Sequence, residues 1–98
     1  MKHIDDMVEK VYDEIDGAVD YAEKSITCRA KGNMTRSNQY REMAQQELNH
    51  ATILRDYLVQ DVDAIKKVHK LTDEEETEWE HHLKRFAEKM AMVRRMTE

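Results

Sequence analysis

Glu14, and further along the pair Glu47-x-x-His50, are the residues in this chain whose types and spacing point to chemistry. Side chains three apart on a helix share a face, so Glu47 and His50 would project together. Glu14 would have to meet them from another element. Two carboxylates and an imidazole form an oxygen-and-nitrogen ligand set suited to iron, manganese or zinc. A second pair, Glu78-x-x-His81, has the same spacing. Spacing alone carries little weight: five histidines in a glutamate-rich chain give about one such pair by chance. The single cysteine, Cys28, argues against a thiolate zinc site or an iron–sulfur cluster and excludes an internal disulfide. Met7, Met43, Met90 and Met96 fall at core spacing and read as packing, a role methionine suits by its flexibility.

Helices must position these residues. The 98-residue chain has no proline, only two glycines and 38% charged residues, a composition that favours helix almost throughout. The expected fold class is all-α, in one domain spanning 1–98, with helices at 4–30, 35–68 and 73–96. Gly32-Asn33 suits a helix end followed by a turn, and Thr35 or Ser37 offers a start for the second helix. Thr72 and Glu75 have the spacing of a capping box at the start of the third. On the first helix Met7, Val11, Glu14, Ala18, Tyr21, Ser25 and Cys28 share a face. On the second, Tyr40, Met43, Glu47, His50, Leu54, Tyr57 or Leu58, Asp61 and Ile65 do the same. Carboxylates within apolar stripes are costly unless paired, hydrogen-bonded or bound to a cation. Glu78 and His81 instead flank Trp79 on an acidic helix and read as a solvated face or an accessory metal site. A long two-helix hairpin cannot cover both its flanks, so self-association is expected.

The net charge of −5 argues against nucleic acid, which needs a basic patch. No stretch is long and apolar enough for a membrane span. Residues 1–6 carry no apolar run of the secretory kind. With one cysteine, the expected setting is the reducing cytoplasm.

Over residues 4–60 the sequence resembles the ferritin-like superfamily, rubrerythrins especially. Its members carry a glutamate on one helix, often a tyrosine two turns later, and Glu-x-x-His on the next helix. Here those are Glu14, Tyr21, Glu47 and His50. A complete ferritin-like bundle holds two such half-sites, and this chain has one. The resemblance therefore implies a four-helix bundle completed by a homodimer or a larger ring, as in the short encapsulated ferritins. It implies a di-iron site of two irons per dimer, with manganese or zinc as substitutes, and ferroxidase activity using O2 or peroxide. Glu14, Glu47 and His50 would be ligands and Tyr21 a neighbour in the surrounding shell. The sequence has no rubredoxin-like cysteine cluster, and no targeting tail of the encapsulated-ferritin kind is expected. A protein shell or other partner could dock on the third helix through Trp79 and Phe86. The alternative is a helical structural or interaction module, or a catalytically silent metal-binding protein, whose seam acids only specify pairing.

Overall fold

A computed structural model describes residues 2–98, Lys2 by its backbone alone. Three helices make up the chain: α1 (Lys2–Ala30), α2 (Met34–Val68) and α3 (Asp73–Met96). Those residues form an all-α fold, and no helix among them is long and apolar enough to cross a membrane.

The first turn closes α1 and opens α2 in the same few residues. Gly32 takes φ = 79°, a left-handed conformation that costs glycine nothing. Its N–H donates to the Arg29 carbonyl at 3.0 Å, and the Asn33 N–H donates to the Cys28 carbonyl at 2.9 Å. Asn33 then caps α2, its side chain accepting from the Arg36 N–H at 3.1 Å. The cap is thus Asn33, and neither Thr35 nor Ser37 serves. Ser37 is buried, and its hydroxyl and that of Ser25 each donate to the other residue's carbonyl at 2.8 Å. At the second turn Thr72 and Glu75 make the reciprocal capping box, with bonds of 3.1 and 3.0 Å.

α1 and α2 pack side by side along their length. Ala18, Ala22, Ala44 and Ala51 are fully buried in the seam, and these small side chains let the two backbones approach closely. α3 lies mainly along α1 and scarcely touches α2. Trp79, Phe86, Met90 and Val93 of α3 close the core over Val8, Val11 and Ile15 of α1 and Leu58 and Val62 of α2. Trp79 and Phe86 are therefore consumed by the chain's own core, 8% and 0% exposed. They do not form the docking face expected of them. Polar links pin α3 in place: the Tyr12 hydroxyl to His82 Nδ1 at 2.8 Å, Lys89 to Asp16 at 3.0 Å and Lys66 to Glu76 at 2.9 Å.

The result is a rod of 55 × 19 × 18 Å with a radius of gyration of 16.1 Å. A compact domain of this length would have about 12.6 Å. One flank of the hairpin is covered by α3 and the other is open. The buried ridge of α1 runs through Val8, Val11, Ile15, Ala18 and Ala22, displaced towards α3 from the face expected on sequence. Met7, Glu14, Tyr21 and Cys28 are left at its edge, only half-buried. On α2, Met43, Glu47, His50, Leu54, Tyr57 and Asp61 follow one another at steps of three and four along the same open edge. Of these, Met43 and Tyr57 are 38% and 55% exposed.

Candidate metal centre

Glu14, Glu47 and His50 come together at mid-length on the open flank, each offering one ligand atom within 4.8 Å of the others. Glu14 arrives from α1. Glu47 and His50 arrive from α2, one turn apart on one face. His50 Nδ1 lies 3.8 Å from Glu14 Oε2. The three residues are not sunk in the middle of the apolar stripe as expected. They sit at its rim, Glu14 and Glu47 half-buried and His50 exposed, because α3 draws the core to the other side. A shallow groove lined by Lys10, Asp13, Glu14, His50, Ile53 and Leu54 leads to them.

Two features make the cluster costly when both acids are ionised and unpaired. Glu14 Oε2 is shut off from solvent with no hydrogen-bond partner, a state that costs a charged acceptor considerable free energy. The Glu47 carboxyl is pushed above the usual carboxylate range, first by the hydrogen bond its protonated form makes to Glu14, then by burial and by the Glu14 charge. The nearby His50 offsets this in part. Two acids this close cannot both ionise cheaply. Among the described residues no lysine or arginine forms an ion pair with either.

Gly17, one turn after Glu14, makes room for this arrangement. A Cβ built on Gly17 would stand 3.2 Å from Glu47 Oε2 and 3.7 Å from its Cδ. The Glu47 carboxylate thus lies directly on the α1 backbone, where only a glycine leaves it unobstructed. The donor set fits a first-row divalent metal. Ligand atoms bound at about 2.1 Å in tetrahedral geometry are about 3.4 Å apart, so atoms lying within 4.8 Å of one another would close on an ion by side-chain movement.

Tyr21 stands two turns from Glu14, with no hydrogen bond to the triad among the described residues. Its ring stacks on Tyr40, centroids 6.2 Å apart, and Lys24 sits over both rings at 5.5 and 5.9 Å. Glu78 and His81 are not brought together. Glu78 faces His82, one residue further, at 3.8 Å. His81 instead lines a surface groove with Lys84, Arg85 and Lys89. Sequence reasoning passed over His82. Its signal was the run Trp79, His82, Phe86 at steps of three and four, which places the imidazole at the edge of the core beside Tyr12.

Comparison of the chain with protein-family models, with curated proteins and with solved structures gives no match. The site's own chemistry has to carry the functional argument.

Proposed function

We infer that the chain is half of a ferritin-like helical bundle, two copies of which pair through the open flank and oxidise iron at the site they complete. Pairing would bring Glu14, Glu47 and His50 of one chain opposite the same residues of the other. Four carboxylates and two imidazoles would then face each other across a two-fold axis. Fe2+ is the substrate, held as a pair and oxidised to Fe3+ by O2 or peroxide. Glu14 serves as a terminal ligand through its unpartnered Oε2. Glu47, which lies over Gly17, would supply the second carboxylate that holds iron. His50 presents Nδ1 beside Glu14. The surrounding apolar groups Met7, Met43, Leu54 and Tyr57 would leave water on pairing, which supplies the driving force for association.

The observation that carries this reading is the orphaned Glu14 Oε2 beside a second carboxyl on a flank that α3 leaves open. An acid pair that a proton or a cation would relieve, at the rim where a second copy would bring a second acid pair, joins site and assembly in one hypothesis.

Anaerobic titration with Fe2+ followed by air, with sedimentation run in parallel, tests it. The expected result is about two irons per pair of chains, with the ferric absorbance lost in Glu47→Ala and His50→Ala. Identical behaviour of wild type and Glu47→Ala would sink the reading. Pairing that persists without iron uptake in any form would point instead to seam acids that only specify register.

A further inference from the structure

The stacked Tyr21 and Tyr40 lie on the same open edge as the triad. Tyr21 follows Glu14 by seven residues and Tyr40 precedes Glu47 by seven. In an antiparallel hairpin both therefore stand about 10 Å from the site, on the side of the Gly32 turn. The rings meet across the α1–α2 seam with 21° between their planes. Lys24, tied to Asp20 at 3.1 Å, lies over both and holds them side by side. Both phenols are half-buried. The two rings face each other from separate helices, and a bond between the carbons beside their hydroxyls requires the side chains to close from the 6.2 Å centroid separation and slide edge to edge.

We propose that Tyr21 and Tyr40 are an oxidative modification site, joined as a dityrosine that staples α1 to α2 when iron is first oxidised at the triad. The proposal rests on the iron-oxidising reading of that triad. One O2 takes four electrons and four protons to become two waters. Two of those electrons come from two Fe2+, which become Fe3+. The other two come from the two phenols together with two protons, and solvent supplies the remaining two protons. Each phenol gives up its O–H hydrogen. A carbon–carbon bond then forms between the ring carbons ortho to the oxygens, and the hydrogens on those carbons return to the oxygens. The linkage forms once per chain, so it belongs to the first turnover and not to the steady state.

The test is to add Fe2+ to the full chain in air, digest it, and identify cross-linked peptides by mass spectrometry and dityrosine fluorescence. The expected product joins Tyr21 to Tyr40 within one chain and weighs two hydrogens less than the two peptides. It is absent from Tyr21→Phe, from Tyr40→Phe and from Glu47→Ala. It persists in Tyr57→Phe, which removes the exposed tyrosine on the other side of the triad. Iron oxidation without this linkage overturns the proposal and leaves the iron reading standing. So does a linkage to Tyr57 or between chains, or one retained in Glu47→Ala. A wild-type protein that oxidises no iron overturns the reading of the triad, and the staple with it.

Discussion

Replacing Gly17 with alanine sets two effects of opposite sign against each other at one atom. Gly17 lies inside α1, where alanine gains about 1 kcal/mol of helix propensity. The new methyl group would meet Glu47 Oε2 at 3.2 Å, so the carboxylate must withdraw by a few tenths of an ångström. Its obstacle is the far end of a flexible, half-buried side chain and not backbone, so the move is cheap. The metal-free protein should therefore gain about 0.5–1 kcal/mol, a rise of roughly 3–8 °C in Tm for a domain this size. On the proposed reading Glu47 is an iron ligand, so iron affinity should fall by about ten-fold or more, the range seen when a ligand loses its support. Circular-dichroism melts without metal and an anaerobic Fe2+ titration measure the two halves. In the double variant with Glu47→Ala the obstacle is gone and the full helix gain should appear, a coupling the double-mutant cycle isolates. A destabilised Gly17→Ala refutes the claim that the carboxylate withdraws cheaply, and one that binds iron as tightly as wild type refutes the claim that the missing Cβ seats Glu47 for binding.

Thr72→Ala removes the capping box of α3 and should cost about 1 kcal/mol, seen as a Tm lower by roughly 4–8 °C. The Glu75 carboxyl is held below its usual range first by the Thr72 backbone N–H, which the variant keeps, and then by the Thr72 side chain, which it loses. Its contribution is present above the ordinary glutamate pKa and is lost as the pH falls through the lowered value, so the gap between wild type and Thr72→Ala should narrow in acid only by the side-chain part. Tyr12→Phe cuts the link to His82 and should cost about 0.5–1.5 kcal/mol in denaturant melts. Burial raises the Tyr12 phenol, a contribution present below its ordinary pKa and lost as pH climbs through the raised one. The variant should thus lose less stability in alkali than wild type does. Ile53, 48% exposed in the groove beside His50, can take a charge without harming the fold. Ile53→Arg should keep the melting curve of the single chain yet prevent pairing in sedimentation and silence iron oxidation, whereas Ile53→Val should do neither.

The helices and their ends were legible because their signals are local. Gly32-Asn33 and Thr72 with Glu75 act on backbone groups a few residues away, so the expected spans 4–30, 35–68 and 73–96 differ from the observed ones by only a residue or two at the starts of α1 and α2. The triad was legible through helical periodicity and the cost of an acid in an apolar stripe. Its depth was not. Whether Glu14 lies at the centre or the rim of the core depends on which flank α3 covers, and that is settled by distant partners such as Phe86 with Ile15 and His82 with Tyr12. The same uncertainty left open whether the apolar face of Trp79 and Phe86 would cover the hairpin or meet a partner, and it hid His82 behind its neighbour His81. Gly17 had two readings on sequence, a tolerated helix glycine or a point of close approach. Only the position of Glu47 decides for the second.

The turn at Gly32 and Asn33 has a consequence for how this chain can change over time. Its caps fix where α1 stops and where α2 begins, so the triad is metered by residue count from that point. One residue inserted between Asn33 and Glu47 would advance the helix by about 100° and 1.5 Å, turning Glu47 and His50 off the open edge and away from Glu14. A deletion would do the same in reverse. Substitutions along these stretches are graded in their effects, but changes of length are not: the phase of the helix is either kept or lost. The intervals from Glu14 to Gly32 and from Asn33 to Glu47 should therefore keep their length in any working variant, however freely the residues within them are exchanged.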